Sequence, residues 1–372
     1  MIMRKWIYHL FLVMIVLVNI VVPVSAEGNN SVEINGDSAI VIDVETGDVL
    51  YGKNQHKKQY PASITKIMTA LITLERCDLD EKVTYSKEAL YSIESGSSAA
   101  YIKPGEIMTV EESLYVMMLH SANDVAHGLA YYVGGDLEQF ADLMNRKAKQ
   151  LGCQSTHFVN ASGLHDDDHY TTADDMAKIA RAAYENVILR KIMRTVEYDL
   201  APTNMYDSTR SWVNGNRMIR SSSEYYYEPC LGGKTGYTTT AGGTLVTYAH
   251  LHDRVLACVV LKSQNSATAY VDSTNLYKYV DKNVDFSVYE KKKETTEKIT
   301  ATTEKNSDEE IVYEVENTTL EKVIFGVKIA VGVLVVLCLA VILRIIYVQN
   351  VKRKRRIQKR KRRQQQMRKR RR

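Results

Sequence analysis

One stretch constrains this chain more than any other: VIFGVKIAVGVLVVLCLAVILRIIY, from Val323 to Tyr347. Between Ile329 and Leu343 it carries no polar side chain, and Lys328 and Arg344 stand where their charged ends reach the two surfaces of a bilayer. About 20 apolar residues span a membrane as a helix, so residues 323–347 are expected to cross it. Any globular core must then be sought upstream. The tail that follows holds 15 of the 49 Lys and Arg residues. In a cytoplasmic chain such a run reads as a nucleic-acid tail. Behind a membrane span it instead sets orientation. Basic residues stay on the cytoplasmic side, which predicts residues 348–372 inside against anionic lipid, no nucleic acid as partner, and the preceding residues outside the cell membrane.

The N-terminus agrees with export. Arg4 and Lys5, the apolar run from Leu10 to Val22 and the small residues ending at Ala26 form the three parts of a signal peptide, expected at 1–26. Residues 27–322 hold 30 basic against 44 acidic residues, a net of −14, so the overall +5 misleads and the exported part does not suit a polyanion. From 286 to 320 the chain is mostly Lys, Glu, Thr and Ser, too poor in large apolar groups to build a core. It reads as a charged stalk. That leaves 27–285 as one large domain. Its cysteines, Cys77, Cys153, Cys230 and Cys258, have no close spacing, and their disulfide state stays open.

Within that domain, SAIVIDVETGDVLYGKN alternates around Thr46-Gly47-Asp48 and predicts a β-hairpin. Pro61 stands ahead of a helix whose Ile64, Ile67, Met68, Leu71 and Leu74 cover a broad face, hence mostly buried. TVEESLYVMMLHSANDVAHGLAYYVG predicts helix, a break near Ser121, and helix again, with Thr109 and Glu112 spaced as a capping box. A further helix opens at Thr172, two alternating strands meet near His252 and Asp253, and a last helix runs from about Ser266 to Val280. Strands, then helices, then strands and a helix suit an α+β domain, its antiparallel sheet formed from both ends of the sequence and flanked by helices.

Ser63 and Lys66 lie one helical turn apart in the apolar PASITKIMTA. On a shared face the amine can take the hydroxyl proton, since burial lowers a lysine pKa and makes it a base near neutral pH. Ser63 is then an activated nucleophile. These residues alone equally fit an N-cap serine followed by a snorkelling lysine. Two further stretches decide between the readings. Ser121-Ala-Asn123 falls at the helix break, and Lys234-Thr235-Gly236 is expected to open a strand after two glycines. Ser-x-x-Lys, Ser-x-Asn and Lys-Thr-Gly, in that order, resemble the three elements of penicillin-binding proteins and serine β-lactamases.

The likeness extends through SSAAYIKPGEIMTVEESLYVMMLHSANDVA, NASGLHDDDHYTTADDMAKIA and GGKTGYTTTAGGTLV. Over roughly residues 36–280 the chain resembles the D-alanyl-D-alanine carboxypeptidases of low molecular mass, peptidase family S11. The resemblance implies the penicillin-binding-protein fold, plus the C-terminal transmembrane helix read above. It also implies that Ser63 attacks a peptidoglycan stem peptide at the penultimate D-alanine, forming an acyl-enzyme, and that β-lactams act as covalent inhibitors. Lys66 is then the base, and Ser121 passes a proton to the leaving amine. Asn123 holds Lys66 and the substrate amide, Lys234 and Thr235 meet the terminal carboxylate, and Gly236 lets the strand approach the peptide. The backbone N–H groups of Ser63 and Tyr237 form the oxyanion hole. No cofactor and no metal are implied.

Three features depart from relatives. No second β-rich domain is expected after the catalytic one, the chain is expected to cross the membrane where many relatives lie on it, and no arginine stands between Asn265 and Tyr270 ahead of the last helix. The run His165 to His169, with His157 upstream, has the residue types of a metal cluster, but the resemblance places it in a polar loop before a helix, and His120 and His127 are read as packing or surface residues. Two other functions stay open. One is a serine β-lactamase, although no Glu-x-x-Leu-Asn stretch lies between Ser121 and Lys234. The other is a wall-sensing membrane protein that keeps the fold without turnover.

Overall fold

The computed structural model describes residues 32–91, 93 and 97–287. The expected signal peptide, transmembrane span and basic tail, and all but the first two residues of the stalk, lie outside the described residues. Among the described residues no helix is long and apolar enough to cross a membrane.

The chain opens with the hairpin β1 (Ser38–Asp43) and β2 (Val49–Lys53), where Gly47 takes a φ of 80° in the turn. A 3-10 turn at Ala62–Thr65 leads into α1 (Lys66–Arg76). The helical middle comprises β3 (Lys82–Thr84), α2 (Lys87–Tyr91), β4 (Ile107–Thr109), α3 (Val110–His120), α4 (Asn123–Gly134), α5 (Leu137–Gln150), α6 (Ala173–Glu185) and α7 (Val187–Arg194). A small hairpin, β5 (Glu197–Leu200) and β6 (Arg210–Val213), precedes β7 (Cys230–Thr238), β8 (Gly242–Leu251), β9 (Arg254–Ser263) and α8 (Ser266–Asn283).

The main sheet has the order β2-β1-β9-β8-β7, antiparallel throughout, so the two ends of the domain do meet in one sheet. Neighbouring residues on a strand face opposite sides, and β8 uses both. Tyr248 donates its hydroxyl to Ala180 O of α6 at 2.7 Å, while Thr247 Oγ1 meets Tyr277 of α8 at 3.0 Å. Helices therefore cover both faces, which explains why β1 is buried at every position. The fold is α+β, an antiparallel sheet with helices on both faces.

α1 runs through the core, with Ile67, Met68, Leu71 and Ile72 each 3% exposed or less. Burial of such side chains contributes about 1.5–3 kcal/mol apiece and holds the helix where solvent does not reach its first turn. The local signals behave as expected. Thr109 and Glu112 form the capping box of α3, and Thr172 caps α6 with Asp174 and Asp175 in its first turn, where the helix dipole favours them.

Some expectations need correction. Lys234 does not open a strand: β7 begins at Cys230, and Gly232 and Gly233 lie within it, at φ 120° and 147° beside a register shift. Those angles let the strand bulge without a break, since glycine alone reaches them freely. Ser63 is not a helix cap. It sits inside the 3-10 turn, whose cap position, Pro61, has no capping side chain. The last helix runs one turn longer, to Asn283. The pairs β3–β4 and β5–β6 and the helices α5 and α7 carry no expectation above.

Candidate active site

The 3-10 turn presents Ser63 and ends at Lys66, the first residue of α1, which is fully buried. Lys66 Nζ has three neighbours: Ser63 Oγ at 3.0 Å, Asn123 Oδ1 at 2.6 Å and the Ser162 carbonyl at 2.7 Å. A neutral amine has two N–H donors and one lone pair. The two carbonyl-type oxygens take both donors, which leaves the lone pair for the Ser63 hydroxyl. Protonation is disfavoured in the same place: burial first, then the charge of Lys234, holds the Lys66 pKa well below its ordinary value. A hydroxyl beside a neutral, oriented amine is an activated nucleophile.

A second group joins it. Ser121, at the C-cap of α3, takes left-handed backbone at φ 61°, an unusual conformation for serine that turns the chain between α3 and α4. Lys234 Nζ donates to Ser121 Oγ at 3.1 Å and to Thr235 O at 2.8 Å. Lys234 is 2% exposed, and burial pushes its pKa down to about 7. Asp124 tightens the junction further. Its buried carboxylate accepts from Ala100 N at 3.0 Å and Ile102 N at 3.1 Å, and Asn123 N bonds Ser98 O at 2.8 Å. The segment around 98–102 is thereby fastened along the turn that carries Ser121 and Asn123.

β7 is an edge strand lying against the 3-10 turn. A Cβ at Gly236 would stand 2.7 Å from Ser63 N and 3.1 Å from Ile64 N, so only glycine permits this approach. Tyr237 follows, 54% exposed, and Thr235 faces Gly215 across the cleft, with Oγ1 3.1 Å from where a Cβ on that glycine would be. An edge strand beside the nucleophile offers its free backbone groups to an extended peptide. The structure thus brings together Ser63, Lys66 and Asn123 in one hydrogen-bonded group, Ser121, Lys234 and Thr235 in another, and places Gly236 and Tyr237 along the strand facing Ser63.

Sequence reasoning missed Ser162. Its carbonyl holds Lys66 because the NASG turn folds back on itself. Asn160 Oδ1 accepts from Ser162 N and Gly163 N, and Thr69 Oγ1 donates to Ala161 O at 2.6 Å. The Asn-x-Ser-Gly stretch marks a turn, but a backbone acceptor leaves no trace in residue identity. Gly163 has φ 83°, and a Cβ there would collide with Ala62 O of the turn presenting Ser63. Gly163→Ala is therefore expected to destabilise the domain by more than about 1 kcal/mol, measured by thermal unfolding. An unchanged melting temperature would show that the two turns are not in contact.

The histidines of 157–169 take separate partners. His157 Nδ1 meets Asp168 O at 2.7 Å, His165 Nε2 lies 3.5 Å from Asp167, and His169, buried, meets Thr65 Oγ1 at 2.9 Å. His120 packs against Trp212 with the rings tilted at 46°, whereas His127 points inward to Ser162, 3.2 Å away. Cys77, Cys153, Cys230 and Cys258 are free.

Known proteins are similar to this chain. Residues 24–265 match the peptidase S11 family, described as D-alanyl-D-alanine carboxypeptidase. D-alanyl-D-alanine carboxypeptidase DacF of Bacillus subtilis is 38% identical over 210 residues, a match covering 55% of this chain and 51% of that protein, about half its length. DacB2 of Mycobacterium tuberculosis is 34% identical, over 60% of this chain and 73% of its own. Among solved structures, the Streptomyces K15 DD-transpeptidase superposes with a TM-score of 0.62 at 30% identity, covering 68% of this chain and 98% of that one. With the family matched across most of the described domain, the chain belongs to peptidase family S11, the D-alanyl-D-alanine carboxypeptidases.

Proposed function

We propose that the chain is a serine-type D-alanyl-D-alanine carboxypeptidase that removes the terminal D-alanine from peptidoglycan stem pentapeptides. The observation that carries this reading is the Lys66 amine, fixed by Asn123 and Ser162 with its lone pair left for Ser63. Ser63 Oγ attacks the carbonyl of the penultimate D-alanine as its proton passes to Lys66. The oxyanion forms against the backbone N–H groups of Ser63 and Tyr237. Ser121, bonded to Lys234, delivers its proton to the departing D-alanine nitrogen and takes up in its place the proton that Lys66 received, and water, deprotonated by the again neutral Lys66, then hydrolyses the ester. Lys234 and the Thr235 hydroxyl receive the substrate carboxylate. β-Lactams enter as covalent inhibitors by acylating the same Ser63. No metal or other cofactor enters this scheme.

The domain limits, and the membrane placement read from the ends of the chain, belong to the same proposal. Residues 27–285 are exported on a charged stalk, one helix at 323–347 anchors them, and the basic tail rests on cytoplasmic anionic lipid.

The decisive experiment is mass spectrometry of the purified chain with a labelled penicillin and, separately, with a stem pentapeptide ending in D-Ala-D-Ala. A Ser63 adduct in the first and free D-alanine in the second are expected. Neither appearing would end the reading.

A pH profile follows from Lys234. Its cationic form is present below about pH 7 and is lost as the pH rises through that value, whereas Lys66 must be neutral, which rising pH favours. Plotted against pH, kcat/KM should form a bell whose alkaline limb reflects a rising KM. Lys234→Arg keeps its charge and should move that limb upward. A profile that is flat to pH 9 would remove Lys234 from carboxylate recognition.

A further inference from the structure

His127 lies one helical turn beyond Asn123 on α4 and is 3% exposed. Its Nε2 is 3.2 Å from Ser162 Oγ, and the carbonyl of that same serine is one of the two acceptors holding the Lys66 amine. Residues four apart on a helix share a face, so α4 reaches both acceptors from one surface: Asn123 is one itself, and His127 touches the residue that supplies the other. We propose that His127 is a positioning residue for the Lys66 base, acting through Ser162. The inference rests on reading Ser63 and Lys66 as nucleophile and base.

The surrounding bonds say what His127 adds. The 160–164 turn is a unit of its own: Asn160 Oδ1 accepts from Ser162 N, Ser162 Oγ and Gly163 N, while Asn160 Nδ2 donates to Leu164 O. α1 ties that unit down where Thr69 donates to Ala161 O, apart from the Lys66 bond to the Ser162 carbonyl whose aim is at issue. His127 ties it to α4. With the Ser162 hydroxyl hydrogen given to Asn160, the neutral imidazole donates its Nε2–H to Ser162 Oγ. Burial, then the nearby Lys66, pushes the His127 pKa down to about 4, so the ring stays neutral at working pH.

Without this tie the turn can pivot about Ala161. The Ser162 carbonyl then moves relative to Asn123 Oδ1, and the amine lone pair swings away from Ser63. A displacement of about 1 Å at a reacting group is enough to slow catalysis about 100-fold. Packing alone does not require an imidazole here, since an apolar ring fills the same space without a polar atom to satisfy.

The test uses the full chain in detergent and three variants. In His127→Phe, kcat for D-alanine release and the rate of penicillin acylation should fall about tenfold or more, with KM nearly unchanged, as expected for the loss of a buried hydrogen bond that orients the base. His127→Gln places an amide nitrogen where Nε2 stood and should keep both rates within about threefold. Ser162→Ala, which retains the carbonyl, should slow acylation as much as His127→Phe, and the double variant no further.

Wild-type acylation by His127→Phe, or equal impairment of the Gln and Phe variants at unchanged melting temperature, would overturn the proposal. Should the Phe variant not fold, Ser162→Ala decides, and a wild-type rate there is equally fatal. If the unmutated chain forms no Ser63 adduct, the functional reading itself fails, and that result is distinct from any seen in the variants.

Discussion

Ser63→Ala should release D-alanine about 10⁶-fold more slowly than the parent chain, the scale at which serine hydrolases lose activity without their nucleophile. It should also take up no labelled penicillin. Folding should be unaffected, because the turn around Ser63 is set by the backbone and by contacts of its neighbours. Ile64 is wholly buried, and Thr244 Oγ1 donates to Pro61 O at 2.8 Å. The Lys66 amine keeps both carbonyl acceptors. The readouts are D-alanine release from a pentapeptide and intact-protein mass after penicillin treatment. Retention of either activity would mean that the nucleophile lies elsewhere. The parent chain in the same assays separates the rival functions: rapid turnover of the penicillin favours a β-lactamase, and absence of D-alanine release favours a silent wall sensor.

Lys66→Ala is expected to slow acylation by about 10²–10⁴, the usual contribution of a positioned general base. Stability should change little, for two opposing reasons. Asn123 Oδ1 and Ser162 O lose their donor, which costs about 1–3 kcal/mol per unsatisfied buried acceptor, but a desolvated amine leaves the core and the space is polar enough for water to replace it. Lys66→Arg should be as slow as the alanine variant, because a guanidinium stays protonated and has no lone pair for the Ser63 hydroxyl. Penicillin acylation followed by stopped-flow, beside thermal unfolding, checks both variants. An arginine variant that acylates at the parent rate would show that the amine acts only as a charge.

The three short motifs were legible because each binds chemistry to residue type. The structure places Ser63, Lys66 and Asn123 in one hydrogen-bonded group, Ser121 and Lys234 in another, and Gly236 against the Ser63 turn. The hairpin, the broken helix and the capped helix were legible too, since periodicity and caps are local. The hairpin of β5 and β6 was not, because its strands are short and half-exposed. The start of β7 was misread because two glycines usually mark a turn, and here they mark a bulge that only the register with β8 reveals.

What the residues by themselves determined was the inventory: a hydroxyl, an amine, an amide and a second amine in family order, on elements whose apolar faces must be buried. What only tertiary structure decided was the state of that amine. Ser162, 96 positions away, contributes a backbone oxygen that no side chain announces, and His127 reaches it from another helix. Whether a lysine is a cation or a base depends on how much water it keeps and which acceptors surround it. Both are properties of packing between distant segments, not of sequence neighbours.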